Sequence, residues 1–120
     1  MSRYYTKSHE WVDYYPERKV ARIGASNYAQ QQMGEIIHIE FPSVGKVFQE
    51  KDSACVIESV KIASDIYTPV AGKITAINKE AEDNPSLIND DAEKTWLFEI
   101  TYTQEAPGLL RPEEYQSIIA

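Results

Sequence analysis

Short runs in which apolar and polar residues alternate dominate this chain, and a side-chain period of two constrains its fold to β-structure. In Trp96-Leu97-Phe98-Glu99-Ile100-Thr101-Tyr102, the residues Trp96, Phe98, Ile100 and Tyr102 fall on one face. Ile37, Ile39 and Phe41 alternate with Ile36, His38 and Glu40 in the same way. Further strands are predicted at residues 10–15, 20–23, 46–48, 53–59, 63–67 and 73–78. Turn signals separate them: Tyr15-Pro16-Glu17, Pro42-Ser43-Val44-Gly45 and Pro69-Val70-Ala71-Gly72. Many short, closely spaced strands point to an antiparallel sandwich or barrel.

Three short helices interrupt the alternation. Ser26 can N-cap a helix through Met33 that Gly34 closes. Asn84-Pro85 reads as a cap plus a first-turn proline opening a helix at residues 86–89. Pro112-Glu113-Glu114 starts a C-terminal helix, with acids at the positive end of its dipole and Tyr115, Ile118 and Ile119 as its packing face. No linker divides the chain, so residues 1–120 are expected to form a single domain, long enough to bury a core without disulfides. Gly45-Lys46-Val47-Phe48 is loosely echoed by Gly72-Lys73-Ile74-Thr75.

The lone Cys55 has no partner in the chain and lies in an apolar run, as expected of a buried, inert thiol in a reducing compartment. A net charge of −7, from 19 acidic and 12 basic residues, argues against nucleic acid as a partner. No apolar run is long enough for a membrane span, and Met1-Ser2-Arg3-Tyr4-Tyr5 lacks a signal-peptide core. A monomeric bacterial cytoplasmic protein is the simplest expectation, with a processed mitochondrial form as the alternative.

Lys61 lies between the apolar run Ala54-Cys55-Val56-Ile57 and the stretch Ile66-Tyr67-Thr68-Pro69-Val70-Ala71-Gly72. Two β-type segments joined by a few polar residues read as a hairpin with Lys61 at its tip. A lysine there is exposed, held at a fixed height and reachable by another enzyme, as a covalently attached swinging cofactor requires. The plainer reading is a solvated charge that discourages edge-to-edge aggregation. Nothing suggests intrinsic catalysis. His9 and His38 lack metal-ligand spacing, and no nucleotide-binding glycine loop is present. Ser8-His9-Glu10 is not a triad if neighbours on a strand point to opposite faces. Trp11, Trp96 and Phe41 read as core or rim packing.

The segment Glu58-Ser59-Val60-Lys61-Ile62-Ala63-Ser64-Asp65, followed by Pro69-x-x-Gly72, resembles the lipoyl attachment site of the glycine cleavage system H protein family. The resemblance runs along nearly the whole chain. Tyr5-Thr6-Lys7-Ser8-His9-Glu10-Trp11-Val12 looks like the family's opening strand, and Ala21-Arg22-Ile23-Gly24 and Tyr28-Ala29-Gln30 resemble the strand and helix that follow. Gly34-Glu35-Ile36, Phe41-Pro42-x-Val44-Gly45, Glu82-Asp83-Asn84-Pro85-x-Leu87-Ile88-Asn89, Trp96-Leu97 and Glu114-Tyr115 continue in the same order.

The resemblance implies a mainly β barrel-sandwich hybrid of two antiparallel sheets with a few short peripheral helices, and a non-catalytic carrier with lipoate amide-linked to Lys61. It further implies that the carrier takes an aminomethyl group from glycine decarboxylase (P protein) to the aminomethyltransferase (T protein), and electrons to dihydrolipoyl dehydrogenase (L protein). A lipoyl/octanoyl transferase or a lipoate–protein ligase would install the group. Glu58 and Asp65 flank the lysine, either as recognition marks for that enzyme or as ordinary solvated charges. Ser8 and Glu10, with Gln32 and Ala25, are the implied groove for the loaded arm, where Glu10 or Asp65 could hold a cationic amine.

Three departures from the family pattern stand out. Asp91-Ala92-Glu93-Lys94-Thr95 replaces a glycine-rich stretch and is expected to alter that loop, since glycine's positive-φ freedom is absent. Ala25 stands where a bulky aliphatic is usual, and Ile62 where a small residue is. Rival readings are an H-like relay passing lipoyl groups to other complexes, a biotin carrier and an unmodified binding module. The biotin reading is disfavoured by Val60 and Ile62, where methionines are usual.

Overall fold

The first and last strands of the chain belong to its larger sheet, with two strands between them. The computed structural model describes all of residues 1–120. Nine strands form: β1 (Ser2–Tyr5), β2 (Glu10–Tyr15), β3 (Val20–Ala25), β4 (Ile36–Glu40), β5 (Val47–Phe48), β6 (Ser53–Ser59), β7 (Ala63–Tyr67), β8 (Gly72–Ile77) and β9 (Phe98–Thr101). The helices are α1 (Asn27–Met33), α2 (Lys79–Asp83), α3 (Leu87–Asp91) and α4 (Pro112–Ile119), with a 3₁₀ turn over Ala92–Lys94.

A six-stranded sheet has the order β1-β2-β3-β9-β8-β5, and a three-stranded sheet the order β4-β6-β7. Every pairing is antiparallel. Val12, Tyr14, Ile23, Phe98 and Ile100 from the large sheet share one buried cluster with Ile39, Ile57 and Ile66 from the small one. Burying alternate residues of both sheets between them is what the period of two encodes. The fold is therefore mainly β, sandwich-like rather than a closed barrel.

Several elements differ from expectation. The block from Tyr5 to Val12 is not one strand: β1 ends at Tyr5, a turn follows with His9 at φ 73, and β2 starts at Glu10. The alternation expected at Ile37, Ile39 and Phe41 is broken by a β-bulge between Ile36 and His38. The extra residue places Ile36 and Ile39 inside and leaves Ile37 55% exposed. α2 was not anticipated, and it takes Asn84 as its C-cap, so Asn84 does not cap α3. In α4, Tyr115 is buried but Ile118 is 54% exposed, so Ile118 is not on the packing face.

The two echoed segments turn out to be neighbours, with Val47 paired to Lys73 and Phe48 to Gly72. Gly72 is obligatory for its packing, because a Cβ there would lie 1.8 Å from the Thr101 carbonyl oxygen. The segment replacing the family's glycines keeps negative φ throughout. Side chains hold it instead. Trp11 Nε1 donates to Ala92 O at 3.0 Å, Arg3 donates to Glu93 O at 2.6 Å, and Thr95 Oγ1 donates to Asp91 O at 2.8 Å.

Candidate functional site

The hairpin of β6 and β7 turns over at Val60 and Lys61, and Ser59 sets that turn. Its hydroxyl is buried and accepts hydrogen bonds from Lys61 N at 3.2 Å and Ile62 N at 3.1 Å. Ser59 N donates to Ile62 O at 2.8 Å, closing the turn. A second tie comes from outside the hairpin, where Val60 N donates to Glu35 O at 3.0 Å. Gly34 lies beside the lysine stem: a Cβ built on it would be 3.4 Å from Lys61 Cε, and its φ of 80° is left-handed. The base of Lys61 is thus fixed on two sides.

Its ammonium is free. Lys61 is exposed and takes part in none of the ion pairs, which involve Arg3, Arg18, Arg22, Lys79 and Arg111. Val60 and Ile62 on either side are 61% and 48% exposed. Glu58 is half-buried, opposite His38 on β4 and Ala63 on β7. Asp65 is exposed, opposite Val56, and accepts a hydrogen bond from Ser53 Oγ at 2.7 Å. Neither carboxylate pairs with Lys61.

Ala63, Asp65 and Tyr67 share the exposed face of β7 and form a line about 13 Å long leading away from the tip. The line ends at a cavity of about 630 Å³ lined by Thr6, Ser8, Glu10, Tyr67 and Thr68, with Pro107–Leu109 among its other lining residues. Glu10 is 1% exposed. Its carboxylate accepts from Thr6 Oγ1, from Ser8 Oγ at 2.6 Å and from Tyr67 N at 3.2 Å. Ser8 and Glu10 therefore touch. Ser8 and His9 lie in the turn before β2, so strand alternation does not govern the trio Ser8-His9-Glu10.

The structure brings Ser8 and Glu10 together at the cavity but keeps the other two groove candidates out of its lining, although Ala25 pairs with Glu10 across β2 and β3. Ala25 is buried in the core, 1% exposed, and Gln32 is exposed on α1; neither lines the cavity. Cys55 is 2% exposed, and burial pushes its thiol up to about 12, so it offers no thiolate. No group of three or more His, Cys, Asp or Glu is placed to hold a metal ion, and no helix is long and apolar enough to cross a membrane. Ser59 and Asn89 were not singled out from the sequence, and Gly34 was read only as the close of α1. A serine two residues before a hairpin-tip lysine is a turn former, and that signal could have marked Ser59.

Fold and site define a class: a sandwich-like β protein presenting one unpaired, exposed lysine on a hydrogen-bonded hairpin tip. Residues 3–120 match the family model described as glycine cleavage H-protein. The glycine cleavage system H protein of Thermotoga maritima is 42% identical over 119 residues, covering 97% of this chain and 94% of that protein. Its counterpart in Alcanivorax borkumensis is 44% identical over 118 residues, covering 96% and 91%. The crystal structure of a glycine cleavage system H protein from Mycobacterium marinum matches with a TM-score of 0.90 at 30% identity, covering 98% of this chain and 96% of that one. The chain belongs to the glycine cleavage H-protein family.

Proposed function

We propose that residues 1–120 form a lipoyl-bearing domain, with lipoate amide-linked to Lys61, that serves as the non-catalytic carrier of glycine cleavage. The observation that carries this reading is the tip itself: a free ammonium on a backbone pinned by Ser59 and Glu35 O. Such a site fits a covalently attached arm. The nitrogen has no carboxylate to be pulled from, and the turn is ordered before any enzyme docks, which reduces the entropy lost on binding. When bound, lipoate supplies a dithiolane that carries an aminomethyl unit and then electrons.

Attachment needs only a lone pair on Nζ. The ammonium loses a proton, the nitrogen attacks the carbonyl carbon of an acyl-adenylate on the lipoylating enzyme, and the C–N bond forms as AMP leaves. The second proton passes to solvent. Glu58 and Asp65, exposed or half-exposed on the outer face beside the tip, are the recognition marks for that enzyme. Ser8 and Glu10 furnish the far resting place. There the buried Glu10 carboxylate holds a cationic amine and the cavity walls limit water. Glycine decarboxylase, the aminomethyltransferase and dihydrolipoyl dehydrogenase are the partners of the loaded chain.

The test is reconstitution with those three enzymes. Lipoylated wild-type chain is expected to support glycine-dependent reduction of NAD, and Lys61→Ala to support none. Turnover with Lys61→Ala would sink the proposal. Restoration of 2-oxoacid dehydrogenase lipoylation without glycine turnover would replace it with the relay role.

A further inference from the structure

We propose that Asn89 is a positioning residue for Lys61, setting the angle at which the lysine is presented for acylation. The inference rests on the carrier reading and extends it to a residue on a different element, α3. The Asn89 carboxamide grips the chain on both sides of Glu35. Its Nδ2 donates to Gly34 O at 2.8 Å, and its Oδ1 accepts from Ile36 N at 2.9 Å. Both ends of the amide are used in complementary directions, so its orientation is determined by its partners.

The gripped segment is the one that touches the tip. Glu35 O accepts the Val60 amide, and the Lys61 stem runs alongside Gly34, its Cε 3.4 Å from where a Cβ on Gly34 would stand. α3 is itself a firm base: Ile88 is 1% exposed, and Thr95 Oγ1 donates to Leu87 O at 3.2 Å and Asp91 O at 2.8 Å. A continuous chain of contacts therefore runs from the core through Asn89 and Gly34–Ile36 to Val60 and Lys61. Ser59 shapes the turn internally. Asn89 sets its attitude relative to the body of the protein. Since acylation requires Nζ to meet a carbonyl carbon held on another enzyme, a small error in that attitude is costly.

Asn89→Ala removes both bonds. Asn89→Asp retains the size and the acceptor facing Ile36 N but loses the donor and opposes a carboxylate to Gly34 O. With a lipoate–protein ligase, lipoate and ATP, both variants are expected to lower kcat for Lys61 acylation roughly ten- to a hundredfold. KM for the carrier should rise by a smaller factor, because Glu58 and Asp65 are untouched and only the ordering of the tip is lost. The Val60 amide is expected to exchange hydrogen faster in both variants while the Ile57 amide does not. Ile100→Val, a core change away from the tip, controls for stability and should leave kcat unchanged.

Wild-type kcat in both Asn89 variants, or unaltered Val60 exchange, would overturn the proposal and leave the carrier reading standing. An equal fall with Ile100→Val would reduce Asn89 to a stability role. Failure of wild-type protein to be acylated would sink the carrier reading and this inference together, and is distinguished by appearing without any substitution.

Discussion

Lys61 is held at its base and free at its end, and Ser59 accounts for much of the first property. Its hydroxyl bonds two backbone amides that would otherwise be unpaired beside a buried side chain. Ser59→Ala is expected to destabilise the protein by about 1–3 kcal/mol in urea unfolding; an unchanged midpoint would show that water replaces the hydroxyl. Cys55 is expected to resist thiol reagents at neutral pH and to react once denaturant exposes it, because its thiol is pushed up to about 12 by burial. Rapid labelling of the native protein would contradict this. Lys61 was legible in the sequence because its neighbours spell a hairpin. The burial of Glu10 was not, since two of its partners come from an unrecognised turn and the third, Tyr67 N, is far away in sequence.

At the scale of elements, short helices depend on tertiary ties, since α1 has only seven residues. Ser26 caps it by accepting from Ala29 N at 3.1 Å, and Glu93 accepts from Asn27 N at 2.8 Å. Ser26 Oγ also meets the Tyr115 hydroxyl at 2.7 Å, and His9 Nδ1 meets the same hydroxyl at 2.8 Å. Tyr115 stacks on Tyr5 with centroids 4.3 Å apart, so one side chain of α4 locks α1, β1 and the turn before β2. Tyr115→Phe keeps the stacking and loses the hydrogen bonds, leaving Ser26 and His9 short of a partner. It is expected to cost about 1–3 kcal/mol by chemical denaturation, and a neutral result would mean that water fills the gap. Ser26 and Gly34 made α1 readable. The bulge in β4 was unreadable because Ile36, Ile37 and Ile39 are chemically alike, and only pairing with β6 decides which faces inward. Asn84-Pro85 pointed to a boundary, but the local signal does not say whether it ends one helix or begins another.

For the molecule as a whole, the β class and the hairpins were legible, whereas the strand order was not. Val20 pairs with Thr101 and Val47 with Lys73, and such distant pairings follow from how two apolar faces close together, not from local pattern. Burying aromatic residues on folding also shapes alkaline stability, Tyr14 in that core and Tyr5 in a smaller cluster with Trp11 and Tyr115. Burial raises Tyr5 and Tyr14 from 10.0 to about 12, and Glu93 adds to the rise at Tyr5. A phenol raised on folding stays neutral in the native state while the unfolded chain ionises. Stability is therefore full below about pH 10 and declines as pH rises towards about 12. Tyr14→Phe should flatten that decline in unfolding experiments; an unaltered slope would assign it to other groups.

The most direct measurement is peptide-level mass spectrometry of the chain after incubation with a lipoate–protein ligase, lipoate and ATP. One lipoyl increment confined to Lys61, and none in Lys61→Arg, is the expected result. Modification of another lysine in its place, or a wild-type chain that stays bare with a ligase that is active on other carriers, would contradict the assignment of Lys61 as the site of attachment.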